Sequence, residues 1–194
     1  MVAHLSVKAG SRVLGIGTDI VHLSRFSKLL QKYPLSVASA SEQGTFIKIA
    51  KKFMHSREIA NLQLLVSETN NDKHTATYIA GIWAIKESVL KAFSSFVPGP
   101  EMPTAQCIYT RLIYKEKKSS GRPILRFDEQ FLATASDSEL QFYHKYIKTP
   151  KTRPIVSISH DEDYLVTFVC LVEDNGNGNG HASATDSIFD SASS

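Results

Sequence analysis

The sequence predicts a single α+β domain in which a long central helix packs on a largely antiparallel sheet. Residues 75–93 form the longest helical pattern: Ile79, Ile82, Lys86, Leu90 and Phe93 fall near one face, and Trp83, Glu87 and Lys91 make an adjacent stripe at i, i+4, i+8. Apolar, β-branched runs at 13–21, 155–158 and 164–172 read as strands, and a corner at Gly121-Arg122-Pro123 joins two more into a hairpin. A chain of 194 residues is most simply one domain, long enough to bury a core.

Taken in order, 13–21 is a strand broken by Gly15 and Gly17, and 23–33 a short helix with Phe26, Leu29 and Leu30 on one side, stopped near Pro34. Residues 35–44 are Ser/Ala-rich and loop-like. From 45 to 66 the pattern is helical but interrupted, with Phe46, Ile49, Ala50 and Phe53 at i, i+3, i+4, i+7. The polar run 67–74 is a loop ahead of the central helix. Pro98, Pro100 and Pro103 end that helix. Residues 105–114 alternate enough for a strand, 115–122 turn, and 124–127 return. Two short helices are expected over 129–135 and 139–147. Between the last strands, Ser159 to Asp163 form a tight polar turn. From 173 to 194 the chain is Asn/Gly- and then Ser/Ala-rich, and cannot bury enough apolar surface to order itself. The expected division is an N-terminal extension over 1–12, a domain over 13–172 and a disordered tail over 173–194.

Composition narrows the function classes. No apolar run approaches the roughly 20 residues of a membrane span, so no membrane partner is expected, and no nucleic-acid partner either. Cys107 and Cys170 lack metal-ligand or CxxC spacing and read as buried thiols of a reducing compartment. The net charge of +3 hides an acidic tail, with Glu173, Asp174, Asp186 and Asp190 and no Lys or Arg. The remaining body is therefore basic, which suits either an acidic or phosphorylated partner or simply a soluble surface. The first thirteen residues carry Lys8 and Arg12 and no acid, too short and weakly amphipathic to define a transit peptide. An intracellular location is expected, cytoplasmic or mitochondrial.

The chemistry sits in two carboxylates in unlike settings. Asp19 lies in Gly15-Ile16-Gly17-Thr18-Asp19-Ile20-Val21, and Glu87 on the central helix in Lys86-Glu87-Ser88-Val89-Leu90-Lys91. A strand-borne Asp and a helix-borne Glu can converge on one hard cation, and Lys86 and Lys91 beside the Glu can hold phosphates, which suggests magnesium-assisted chemistry on a phosphate ester. The third glycine of a dinucleotide loop is missing after Gly15 and Gly17, and no GxxxxGK[ST] loop occurs. Taken singly, Asp19 reads as a strand-end carboxylate, Glu87 as a solvated partner of Lys91, and Lys86 as a snorkelling stem.

In order and spacing the pattern resembles the 4′-phosphopantetheinyl transferases of the small holo-acyl-carrier-protein synthase type. The N-terminal G-I-G-x-D-I-V is followed by Arg25. The central K-E-x-x-x-K is Lys86, Glu87 and Lys91. The S-I-S-H segment is Ser157-Ile158-Ser159-His160, followed by an apolar strand. Met54-His55-Ser56-Arg57-Glu58 is similar to the family's L-T-x-x-E, and Gly121-Arg122-Pro123 to its G-K-P turn. The resemblance spans about 13–172.

The resemblance implies a defined reaction. Coenzyme A is the substrate, and magnesium bridges its pyrophosphate to Asp19 and Glu87. A serine hydroxyl of an apo acyl carrier protein attacks the β-phosphate, phosphopantetheine moves to the serine, and 3′,5′-ADP leaves. Lys91, or Lys86, assists the leaving group, and both join Arg57 among the coenzyme A contacts. Glu87 or a metal-bound water takes the serine proton. Ser159 and His160 contact the nucleotide end, with His160 as an ordinary turn histidine the alternative. Arg25, Lys28 and Lys32, at helical spacing, would meet the acidic carrier protein and steer its docking. A catalytically silent relative that binds coenzyme A or carrier protein is the competing function, and an unrelated interaction module a third.

The chain departs from the pattern after Lys91, where Ala92-Phe93-Ser94-Ser95-Phe96 replaces a glycine-rich stretch, so contacts to coenzyme A there must differ. Ser88 stands where Ala is usual, and inserts near 61–74 and 128–152 lengthen the chain. Only one set of motifs occurs, where larger relatives carry a tandem pair, so the site is expected to be completed by a neighbouring subunit in a homotrimer.

Overall fold

The computed structural model of the protein describes residues 11–35, 45–68, 71–117 and 121–174. β1 (Arg12–His22) leads into α1 (Leu23–Lys32), then α2 (Thr45–Ala50), α3 (Ser56–Glu68) and the long α4 (Asp72–Ser94). After a 3-10 turn at Gly99–Glu101 come α5 (Ala105–Cys107), a π-helical turn (Ile108–Leu112), β2 (Ile113–Lys117) and β3 (Pro123–Phe127). A 3-10 turn (Glu129–Ala133), α6 (Asp137–Tyr143), a second π turn (His144–Lys148), β4 (Thr152–Asp161) and β5 (Tyr164–Glu173) complete the order. β1, β5 and β4 pair antiparallel in that order, and β2 and β3 form a separate antiparallel hairpin. The architecture is the expected one, with α4 lying across β1 and β5.

The helices start where side chains satisfy their first amides. The Asn71 carboxamide accepts from the His74 amide at 3.1 Å. This cap starts α4 at Asp72, one turn before the expected 75, and shortens the polar loop. Ser136 and Glu139 make a reciprocal capping box at α6. At α3, His55 Nδ1 accepts from the Arg57 amide at 3.2 Å, while Glu58 reaches back to the His55 amide at 2.9 Å.

The seam between β1 and α4 is backbone against backbone. A Cβ on Gly17 would stand 1.9 Å from the Ser88 carbonyl oxygen, and one on Gly15 2.1 Å from that of Ala92. Two glycines two residues apart therefore serve close helix packing rather than a phosphate loop. The adjoining contact of α4 with β5 explains Ser88: its hydroxyl lies 2.6 Å from the Thr167 hydroxyl, which donates to the Ala84 carbonyl at 2.9 Å. A Gly17→Ala variant is expected to lose about 1–3 kcal/mol in urea unfolding, because neither clashing backbone can give way cheaply. Gly99→Ala, with nothing within 4 Å of its added carbon, should stay near wild type. Equal stability of the two variants would remove this account of the seam.

Further sequence expectations change. Residues 105–112 are not strand: the Thr104 hydroxyl caps α5 through the Cys107 amide at 3.2 Å, the chain stays helical to Leu112, and the strand begins at Ile113 and runs to Lys117, into the segment expected to turn. Ile108 and Leu112, fully buried at i and i+4, face the core together, which is helical rather than alternating burial. The turn expected over 159–163 is only Glu162 and Asp163, with Glu162 at φ 48°. Ser159, His160 and Asp161 continue β4, pairing with Val166, Leu165 and Tyr164. The loop expected at 35–44 lies outside the described residues from 36 on, as do 1–10 of the extension and 175–194 of the tail.

One face of the sheet is covered by α4 and the other is open. Val13, Ile16, Ile20, Tyr164 and Val166 are 41–62% exposed there, beside a small cluster of Ile155, Cys170 and Val172. Among the described residues, no helix is long and apolar enough to cross a membrane.

Candidate active site at the β1–α4 seam

Strand alternation decides where Asp19 points. Gly15, Gly17 and Asp19 share the face of β1 toward α4, so the glycine seam brings the carboxylate against the helix. Asp19 Oδ1 receives the Lys91 ammonium at 2.8 Å, and the same nitrogen donates to the Thr18 carbonyl at 3.0 Å. Glu87 lies one helical turn before Lys91, and its Oε1 accepts the Tyr109 hydroxyl at 2.9 Å. Burial first, then Glu87 and after it Asp19, push the Tyr109 phenol well above its usual pKa. The phenol is thus a hydrogen-bond donor to Glu87, while Asp19 is tied to Lys91, one helical turn on from Glu87 along α4.

This donor set fits a hard divalent cation. The two carboxylates come from different elements, and no hydrogen bond among the described residues engages Asp19 Oδ2 or Glu87 Oε2. Among the described residues no cluster of three or more His, Cys, Asp or Glu forms a cage. Two carboxylates with water and substrate phosphate completing the shell are a usual arrangement for magnesium. Lys91 stands at the opening with its side chain 51% exposed.

Lys86 is turned the other way. It is 1% exposed, pairs with Glu58 Oε1 at 3.0 Å, and donates to the carbonyls of Tyr109 and Ile113. Its three protons are taken by these partners, away from the phosphate side that the resemblance implies for it. Burial lowers its pKa, and the Glu58 charge opposes that. Glu58 also accepts from the His55 and Lys115 amides, and His55 Nε2 meets Asp128 at 2.9 Å. Burial and the Lys86 charge hold His55 below its ordinary pKa against the pull of Asp128; with Nδ1 accepting the Arg57 amide, Nε2 is the nitrogen that donates to Asp128. The segment similar to L-T-x-x-E is therefore a buried polar network behind the site.

The other anticipated residues lie apart from the carboxylates. His160 opens with His74, Lys115, Gly121 and Pro123 on a cavity of ≈ 360 Å³ at the β4 side of α4. β5 separates β4 from β1. Ser159 alternates to the open sheet face. The Arg57 guanidinium stacks over the Tyr114 ring at 4.9 Å and borders a different cavity, with Arg126 and Arg153. Arg25, Lys28 and Lys32 form one exposed face of α1, and Arg25 stacks over Trp83 at 5.5 Å. Beneath it Arg25, Phe26, Leu29, Phe53, Trp83 and Tyr109 line an apolar groove of ≈ 460 Å³. Cys107 and Cys170 are buried free thiols. Burial and Glu139 push the Cys107 thiol up to about 12, which leaves it no role as a nucleophile.

Sequence reasoning missed Tyr109. Its partner Glu87 is 22 residues earlier, and the segment around it reads as a strand, so no local spacing relates the two.

Comparison with known proteins bears on the family and the fold. The family model described as the 4′-phosphopantetheinyl transferase superfamily matches residues 15–169. The chain is 40% identical over 163 residues to the mitochondrial holo-[acyl-carrier-protein] synthase of Eremothecium gossypii, covering 84% of this chain and 81% of that protein. It is 37% identical over 166 residues to the mitochondrial holo-[acyl-carrier-protein] synthase of Saccharomyces cerevisiae, covering 84% and 94%. In fold it is similar to the holo-ACP-synthase of Plasmodium yoelii, with TM-score 0.55 at 20% identity over 86% of this chain and 99% of the other.

Proposed function

Since this chain belongs to the 4′-phosphopantetheinyl transferase superfamily, we propose that it transfers 4′-phosphopantetheine from coenzyme A to a serine of an apo acyl carrier protein, with magnesium and with release of 3′,5′-ADP. It is an enzyme of the holo-acyl-carrier-protein synthase type. The observation that carries the reading is the Asp19–Lys91 pair, which ties the β1 carboxylate to α4 one helical turn from Glu87, with Lys91 half exposed.

The serine oxygen bonds to the β-phosphorus while the bond from that phosphorus to the bridging oxygen breaks, and 3′,5′-ADP departs with that oxygen. A magnesium ion held by Asp19 and Glu87 would supply charge neutralisation at the pyrophosphate. Lys91 sits at the mouth of the site and brings its ammonium to the phosphates, where it favours the charge developing on the leaving oxygen. Glu87, or a water held beside the ion, would take the serine proton. Arg25, Lys28 and Lys32 offer an acidic carrier protein a basic face beside the Glu87 stripe, with salt-dependent docking. Ser159 and His160, with Arg57, are assigned to coenzyme A. The His160 cavity is the better supported of these, because it joins the S-I-S-H and G-R-P segments in one place.

That cavity and the carboxylates lie on opposite sides of β5 within one chain. This separation supports a site completed by a neighbouring subunit, for which the open, apolar sheet face offers a contact surface. The resemblance implies a homotrimer, for which light scattering should give a mass near three times 21.5 kDa. A monomeric mass at micromolar protein would remove the shared site. A mitochondrial location is proposed from the two fungal relatives, and the product serves fatty acid biosynthesis. The division of the chain into an extension over 1–12, a catalytic domain over 13–172 and a tail over 173–194 is proposed with it.

The test is intact-mass spectrometry of apo acyl carrier protein after incubation with the protein, coenzyme A and magnesium. A gain of one phosphopantetheine that is lost on chelation is the expected result. No gain across several carrier proteins, with coenzyme A still bound, would leave a silent relative in its place.

A further inference from the structure

Tyr109 is held at both of its ends by consecutive residues of α4. Lys86 Nζ donates to its backbone carbonyl at 2.8 Å, and its hydroxyl donates to Glu87 Oε1 at 2.9 Å. The lysine is itself fixed by Glu58, whose other bonds run to the His55 and Lys115 amides, so the anchor is tied to α3 and to β2. A second carbonyl bond, to Ile113, holds the far end of the same π-helical turn. The side chain is 6% exposed, so a water has little access to replace the phenol. Nothing in this arrangement is needed to keep a solvated glutamate on a helix, and a free Glu rotates about three side-chain torsions.

From this geometry, and resting on the metal reading above, we propose that Tyr109 is a positioning residue for Glu87: the buried Lys86–Glu58 pair fixes its backbone, and its hydroxyl fixes the carboxylate so that Oε2 is the oxygen offered to the cation. Hydrogen bonds that orient a metal-binding carboxylate are typically worth roughly 10–100-fold in metal affinity or activity. The assignment gives Lys86 a function without contact to substrate, and it explains why a lysine and a glutamate adjacent in sequence point to opposite ends of one tyrosine.

The experiment uses the full chain with coenzyme A present and manganese(II) as the probe. Binding is followed by loss of the free-ion electron paramagnetic resonance signal against a protein-free blank. Tyr109→Phe keeps the ring in place and removes only the hydroxyl; near-ultraviolet circular dichroism and metal-free coenzyme A binding should match wild type. Its manganese dissociation constant should rise roughly 10–100-fold, and the magnesium concentration for half-maximal transfer should rise with it. Glu87→Gln is the reference. If Glu87→Gln weakens manganese binding and Tyr109→Phe stays within twofold of wild type, the positioning role is overturned and the metal reading stands. If neither variant changes manganese binding, the metal reading fails and the positioning role with it.

Discussion

Asp19→Ala and Glu87→Gln each abolish phosphopantetheine transfer and leave the fold standing: that is the largest activity effect expected of any substitution here. On the proposed metal site, loss of one of the two carboxylates would remove stabilisation of charge on the departing oxygen, for which roughly a 10²–10³-fold fall in rate is the minimum expectation. At 1.36 kcal/mol per tenfold, that is about 3–4 kcal/mol of barrier. Stability should barely move. The Asp19–Lys91 pair has its lysine half exposed, and such pairs contribute about 0–1 kcal/mol. In Glu87→Gln the new carboxamide retains a carbonyl oxygen to accept the Tyr109 hydroxyl. Single-turnover mass spectrometry at saturating coenzyme A, beside thermal unfolding of each variant, separates the two quantities. Wild-type turnover in both variants would sink the assignment of these carboxylates. Loss of turnover only in step with loss of folded protein would reassign them to structure.

The second large effect falls on stability and divides two lysines of one motif. Lys86→Met removes the counter-ion of Glu58, which is 0% exposed and keeps only amide donors. Breaking a buried pair from one side typically costs about 3–5 kcal/mol, because a charge is left in a low-dielectric interior. A thioether of similar length fills most of the space, so the loss reports charge rather than a cavity. Adding Glu58→Gln should restore a substantial part of it. Lys91→Met, five residues on and exposed, should unfold within about 1 kcal/mol of wild type and lose transfer instead. Urea denaturation of the four proteins checks both halves. Equal stability of Lys86→Met and Lys91→Met would show that the buried pair contributes nothing net.

The contrast bears on what the motif means. In K-E-x-x-x-K the first lysine turns into the core and the second toward the opening, because Lys91 stands one turn beyond Glu87 while Lys86 lies about 100° round the helix from it. Periodicity alone placed Lys86 near the apolar stripe and Lys91 in line with Glu87, and the structure bears that out. What periodicity could not supply was a partner. Glu58 sits 28 residues earlier, in a segment whose helical pattern is broken at 51–55, and nothing local marks its carboxylate as the one that meets a buried ammonium. The glycines behave likewise. Gly15 and Gly17 signal a close approach of some kind, and only the pairing of β1 beneath α4 shows that the approaching group is the helix backbone at Ser88 and Ala92. The misread segment at 105–112 has the same origin, since its alternation of apolar and polar residues satisfies a strand pattern, while the Thr104 cap and the burial of Ile108 with Leu112 decide for a helical turn.

By itself the sequence determined the α+β class, the long central helix, the terminal strands and the family, because each rests on local periodicity or on motif order along the chain. The tertiary structure alone decided which residues become neighbours across long sequence separations: Tyr109 on Glu87, Lys86 on Glu58, and His160 on the far side of β5 from Asp19. The physical reason is that a side chain's partner is set by how elements pack and by which buried charges must be neutralised, and neither quantity is written in the spacing of neighbouring residues.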